Sequence, residues 1–124
     1  MKVILSIKPQ FANKIFEGSK QFEFRKAIFK NPDIKKVIVY ASSPVQKVIG
    51  EFEIDRILSN DPHTIWKQTK SQSGISEDYF FEYFHDRDVA YAIKVKKAKR
   101  YKNALCLRKD FNRVPPQSFM YYDA

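Results

Sequence analysis

Short apolar runs separated by polar punctuation set the rhythm of this chain. Val3-Ile4-Leu5-Ser6-Ile7 is apolar and β-rich, the pattern of a buried strand. Pro9 sits where helices favour their first residue, and Phe11, Ala12, Ile15 and Phe16 then form one apolar stripe over two helical turns. Gly18 predicts a left-handed stop. From Lys20 to Arg25 the pattern changes to strict alternation, with Phe22 and Phe24 on one face and Glu23 and Arg25 on the other. Phe29 to Lys36 reads as a connection with a turn at Asn31-Pro32-Asp33.

A second buried-type strand spans Lys36 to Ala41 and closes at Ser42-Ser43-Pro44. A longer strand follows from Gln46 to Ile57, with Gly50 marking a bulge or a barrel bend. Asp61-Pro62 opens a short helix carrying Ile65 and Trp66, and Lys67 to Gly74 is polar and loop-like. Ser76 is suited to cap a helix from Glu77 to Phe84, with Glu77 and Asp78 in the first turn. Asp88 to Tyr101 is a long strand in which Val89, Tyr91, Ile93 and Val95 alternate with Ala90, Ala92, Lys94 and Lys96. Pro115-Pro116 predicts a turn before a last strand over Gln117 to Tyr122. Five or so strands with helices inserted between them predict an α+β fold: a single domain over residues 1–124, built as a small mixed β-barrel with two or three short helices.

Composition narrows the choice of partner. Among 124 residues, 23 Lys and Arg against 14 Asp and Glu give a net charge of +9. Such an excess on a small surface attracts phosphates at long range. Aromatic residues reach 15%, and aromatic faces beside cations are what single-stranded nucleic acids stack on. Most of the 11 Phe are nonetheless needed for the core. One cysteine excludes an intramolecular disulfide and a thiolate-rich zinc site. No apolar run approaches the ~20 residues of a membrane span, and Lys8-Pro9 interrupts the first one too early for a signal peptide. The expectation is a cytoplasmic protein that does not contact membranes and needs no cofactor.

Candidate chemistry concentrates in Gly18 to Arg25. Glu23 and Arg25 share a strand face, and Lys20 stands at the strand mouth just past a helix end. A carboxylate and two cations at one mouth can hold a phosphate while hydrogen-bonding a base or sugar edge. The plainer alternative is an ion pair on a solvated face. Gly18-x-Lys20-x-x-Glu23-x-Arg25 resembles the G-x-K-x-x-E-x-R signature of the ASCH domain, a family of the PUA-like superfamily. Leu5-Ser6-Ile7-Lys8-Pro9, Val39 to Pro44, Gly50-Glu51-Phe52, Ser76 to Phe84, Ala90 to Ile93 and Pro116 to Phe119 resemble further family pieces in the same order, so the likeness covers nearly the whole chain.

The resemblance implies a PUA-like β-barrel with a cleft beside the first helix that takes RNA or a modified nucleotide, lined by Lys20, Glu23 and Arg25. Ser6, Lys8, Ser42 and Ser43 end neighbouring strands and are expected close by, with hydroxyl, ammonium and backbone donors suited to a phosphate. Some small family members hydrolyse N4-acylated cytidines with the motif lysine, a threonine where this chain has Glu23, and a later glutamate, for which Glu77 is the candidate here. A carboxylate beside Lys20 is expected to keep the ammonium charged, and a charged ammonium is a poor base. Other members are linked to RNA cleavage, in which Lys20 and Arg25 would stabilise phosphorane charge.

Elsewhere the signals are weaker. His85-Asp86-Arg87-Asp88 has only His63 as a second imidazole in the chain, so no metal is expected. Cys106, between two leucines, reads as a small buried hydrophobe. Trp66 reads as a core anchor ahead of a stacking platform, and of the tyrosines the Ser118 to Tyr122 tail is expected to reach the cleft before Tyr79 or Tyr83. Lys94, Lys96 and Lys99 belong to a basic run that is either a solvated face or a groove for a nucleic acid backbone. The leading expectation is a module that binds nucleic acid, RNA ahead of DNA, or a nucleotide. An amidohydrolase or ribonuclease on the same fold is the alternative, and a ligand-sensing or protein-interaction domain is a third.

Overall fold

A computed structural model describes residues 1–123. Six strands form one mixed sheet: β1 (Lys2–Ile7), β2 (Phe22–Arg25), β3 (Lys36–Ala41), β4 (Lys47–Asn60), β5 (Ala90–Leu105) and β6 (Phe119–Tyr122), in the order β2-β5-β4-β3-β1-β6. Only β1 and β3 run parallel; the other pairs are antiparallel. Four α-helices complete the fold: α1 (Pro9–Glu17), α2 (Pro62–Thr69), α3 (Glu77–Tyr83) and α4 (Leu107–Phe111). The sheet curls into a half-barrel, because long β4 and β5 carry three register shifts between them and each bulge adds bend and twist. None of the helices is long and apolar enough to cross a membrane.

Alternation along the strands sorts the side chains onto two faces. Val3, Leu5 and Ile7 of β1 join Val37, Val39, Phe52, Ile54 and Ile93 in the largest core, which Ala12 and Ile15 of α1 cover. On the opposite face, Phe22 and Phe24 of β2 pack with Ala90 and Ala92 against Ile65 of α2 and Phe80 and Phe84 of α3. Ile4, Ile38, Tyr40 and Val48 form a third cluster under Leu107 of α4.

Local signals hold where the chain decides matters by itself. Pro9 opens α1, and Gly18 ends it at φ 92°. Ser76 Oγ accepts from the Tyr79 amide at 3.1 Å and caps α3. The register shift beside Gly50 leaves Ile49 unmatched, and a Cβ at Gly50 would stand 2.4 Å from the Phe16 ring. Several expectations change. The stretch Lys67 to Gly74 is not a plain loop: α2 continues to Thr69 and a 3₁₀ turn covers Lys70–Gln72. β5 runs on to Leu105, followed by a short helix that its few residues left unsignalled. Cys106 is half-buried rather than a core hydrophobe, and its Sγ accepts from the Lys109 amide at 3.4 Å to start α4.

Candidate functional site

The motif lysine is placed by backbone geometry. Gly18 turns the chain back on itself, the Lys20 amide bonds the Lys14 carbonyl at 3.1 Å, and the side chain is thereby sent under the loop that follows α2. Gly74, at φ 70°, lies so close that a Cβ there would come within 2.4 Å of the Lys20 Cβ. The result is a lysine only 2% exposed. Its Nζ donates to the Ser73 carbonyl at 2.9 Å and stands 4.6 Å from the Phe24 ring centre and 5.4 Å from that of Phe11. Among the described residues no carboxylate lies within 4 Å of it.

The motif carboxylate and arginine form a buried unit. Glu23 and Arg25 face the main core from β2, with Glu23 paired opposite Ile93. Glu23 Oε2 accepts from Arg25 Nη1 at 3.1 Å. The second Nη1 proton goes to the Ser6 carbonyl at 3.1 Å, and Nη2 donates to the Ser118 carbonyl and Oγ at 3.1 and 2.9 Å. The guanidinium therefore ties one edge strand, β2, to β1 and to the segment entering the other edge strand, β6. All four of its terminal N–H groups have partners.

Burial outweighs the neighbouring carboxylate at Lys20. Desolvation pushes its pKa down from the ordinary 10.5 to about 8, while Glu23 pulls it partly back and Lys14 pushes it further down. Glu23 favours the charged form, but beyond 4 Å its attraction is smaller than the effect of burial. Near neutrality the group remains mostly charged, but its proton is within easy reach of a mildly alkaline titration.

These residues line a cavity of about 330 Å³. Ser6, Lys8, Lys20, Glu23, Arg25 and Ser42 all border it. Ser43 does not; it is exposed in the turn after β3. Glu77 does not line it either, because its Oε1 accepts from Trp66 Nε1 at 3.1 Å on the far side of α3. That bond, and packing on Phe80 at 5.0 Å, make Trp66 a core anchor. The aromatic wall comes from Phe11, Phe24, Tyr79 and Tyr83. The tyrosine expectation is therefore reversed: Tyr121 binds the Lys30 and Asn31 amides and Tyr122 packs on Phe111, while Ser118 meets Arg25 and Gln117 joins the cavity lining.

At the rim, exposed Lys8 precedes α1 and its Nζ donates to the Tyr79 hydroxyl at 3.3 Å. The basic run lies apart from the cavity lining. Lys94 Nζ is held by the side-chain oxygens of Gln21 and Gln72, at 2.8 and 3.2 Å, and covers the Phe22 ring. Lys96 and Lys99 are exposed but stand opposite Glu53 and Glu51 on β4. His85 pairs with Asp86 at 3.3 Å on the surface. His63 stacks on Phe81 with ring centres 4.8 Å apart.

A half-barrel with this motif clustered at its mouth is an ASCH-type fold, and known proteins agree. The chain superposes on the crystal structure of ASCH from Zymomonas mobilis with a TM-score of 0.88, at 28% identity over 98% of this chain and 87% of that one. The chain belongs to the family described as "Domain of unknown function (DUF365)", whose profile matches residues 1–114. An ASCH domain-containing ribonuclease of Zymomonas mobilis subsp. mobilis is 31% identical over 91 residues, covering 73% of this chain and 62% of that relative. An ATP synthase subunit alpha of Ureaplasma parvum serovar 3 is 34% identical over 120 residues, covering 96% of this chain. The chain spans only 15% of the length of that protein.

Proposed function

We propose that the protein is an RNA-directed module that draws one nucleotide of an unpaired strand into the cavity at the barrel mouth. The observation that carries this reading is Lys20: a buried ammonium with, among the described residues, one oxygen partner, two ring faces and no carboxylate within 4 Å. Burying a charge so sparsely partnered opposes folding, and a guest that supplies further oxygens relieves it. The aromatic wall suits an unstacked base, and about 330 Å³ is at the lower end of ordinary ligand sites, on a scale with one nucleotide. A net charge of +9 draws the strand in, and a relative named as a ribonuclease is in keeping with RNA as the partner.

The test is fluorescence anisotropy with a labelled single-stranded RNA, comparing wild type with Lys20→Met over a salt series. The expected result is a tenfold or greater loss in the variant. The logarithm of wild-type affinity should fall with the logarithm of salt by about 0.7 for each phosphate neutralised. Equal affinity in the two proteins would refute the reading.

The ribonuclease relative favours a second reading, in which the same site cleaves RNA. A lysine near pH 8 can exchange a proton during turnover. Incubation of end-labelled RNA would then yield fragments with wild type and none with Lys20→Met. No lining carboxylate other than Glu23 stands ready to play the late glutamate of the N4-acylcytidine hydrolases, so nothing in the site favours that reaction.

A further inference from the structure

The orientation of the guest follows from which atoms in the cavity are still free to bond, granted that the cavity takes a nucleotide at all. Arg25 has spent its four terminal N–H groups on Glu23, Ser6 and Ser118, so it has none left for a phosphate. Glu23 is different. Oε2 is held by Arg25, while Oε1 has no hydrogen-bond partner among the described residues. No fully enclosed side-chain oxygen or nitrogen there lacks a partner, so Oε1 must open onto the cavity it borders. Lys20 Nζ has one partner, the Ser73 carbonyl, and retains further protons. At its buried end the cavity thus presents two charged groups free to bond, one carboxylate acceptor and one ammonium donor, between the rings of Phe11, Phe24, Tyr79 and Tyr83, with the neutral Ser6, Ser42 and Gln117 also on its lining.

A phosphate is a poor match for that end. Its oxygens accept hydrogen bonds and carry negative charge, and the open carboxylate oxygen can only accept and repel. A nucleobase edge is a good match, since it sets an N–H donor next to a carbonyl or ring-nitrogen acceptor and carries no charge. The rim suits the phosphate instead, with the exposed ammonium of Lys8 beside the Tyr79 hydroxyl and the first turn of α1, the positive end of that helix.

We infer that the cavity reads the base of the guest nucleotide: Glu23 Oε1 accepts a base N–H, Lys20 donates to the neighbouring base acceptor, and the phosphate remains at the rim on Lys8. Glu23 is then the residue that sets specificity, and Arg25 is the positioning residue that keeps Oε2 occupied and Oε1 free.

Substituting Glu23→Gln separates the two orientations by sign. Arg25 can only donate, so it turns the amide oxygen of the glutamine toward itself and the NH₂ toward the cavity. There it opposes a base N–H, donor against donor, but would welcome a phosphate. The experiment is isothermal titration calorimetry of the full chain with uridine, guanosine, cytidine, adenosine, their 5′-monophosphates, ribose 5-phosphate and inorganic phosphate. At least one nucleoside should bind, and its 5′-monophosphate should bind several-fold more tightly. Inorganic phosphate and ribose 5-phosphate should fail to compete with it.

Glu23→Gln should weaken the nucleoside tenfold or more. Lys8→Ala should remove the advantage of the monophosphate over its nucleoside. The inference is overturned if inorganic phosphate or ribose 5-phosphate competes as well as the nucleoside, or if Glu23→Gln tightens the phosphorylated probes. It also fails if RNA binds in a Lys20-dependent manner while none of the nucleosides binds. Loss of both RNA and monomer binding would instead bring down the RNA reading on which it rests. Should Glu23→Gln unfold, the wild-type competition and Lys8→Ala decide the matter.

Discussion

Replacing Lys20 with Met should make the protein more stable at neutral pH and unable to bind RNA. The ammonium is 2% exposed, and its pKa of about 8 lies well below the ordinary 10.5. At about 1.4 kcal/mol for each tenfold change in proton affinity, keeping it charged at pH 7 costs the folded state on the order of 3 kcal/mol. Methionine has similar length and no charge to desolvate, but it leaves the Ser73 carbonyl without its donor, a loss of about 1–2 kcal/mol. The net expectation is a gain of about 1–2 kcal/mol at pH 7.

The pH dependence supplies the sharper part of the test. Between pH 8 and 10.5 the folded lysine gives up its proton while the unfolded one keeps it, so the unfolded state holds more protons and wild-type stability rises with pH. That contribution is fully present above pH 10.5, shrinks as pH falls toward 8 and is gone below it. Lys20→Met lacks this dependence, so its advantage should shrink above pH 8 and become a deficit of about 1 kcal/mol near pH 10.5. Urea denaturation of both proteins at pH 7, 8, 9 and 10 measures the difference, with the other titrating groups cancelling. A variant that is destabilised by the same amount at every pH would refute the reasoning. A gain in stability coupled to loss of binding is the expected trade-off at a site built for a ligand.

Three further substitutions test the surroundings. Arg25→Ala strands the buried Glu23 carboxylate and unties β2 from Ser6 and Ser118, so denaturation should show a loss of about 3–5 kcal/mol. Gly74→Ala adds a Cβ against Lys20 at a left-handed backbone position; thermal unfolding should reveal a cost of about 1–3 kcal/mol, with RNA affinity falling as Lys20 is displaced. Gly50→Ala forces the Phe16 ring and the Lys99 carbonyl apart from the strand, and should cost about 1–3 kcal/mol by the same measurement while leaving affinity nearly intact.

What the sequence disclosed was local or periodic. Alternation alone sets Phe22 and Phe24 against Glu23 and Arg25, and the two faces hold in the structure. Gly18 and Ser76 ended and began helices through chemistry confined to a few residues. What it concealed depended on distant partners. Arg25 looked available for a phosphate, but Ser118, 93 residues further on, takes two of its protons. Lys20 stands three residues before Glu23 in the chain, yet burial under Ser73 and Gly74 outweighs that carboxylate in setting its proton affinity, and the sequence shows only a polar, loop-like stretch there. A glycine in a polar stretch was the available clue to the close approach, though it did not say to what. Lys97 at φ 51° adds a residue to β5, which lets Lys96 and Lys99 face Glu53 and Glu51 on the same side; simple alternation cannot foresee that.

The most direct measurement is nuclear magnetic resonance of isotopically labelled protein titrated with a mixed-sequence single-stranded RNA pentamer, following backbone amides and lysine side chains. The account predicts the largest shifts at Lys20, Ser73, Gly74, Tyr79 and Tyr83, with the Lys20 signal titrating at higher pH once RNA oxygen or base acceptors surround it. Shifts confined to Lys94 through Lys102, with the barrel mouth silent, would contradict it.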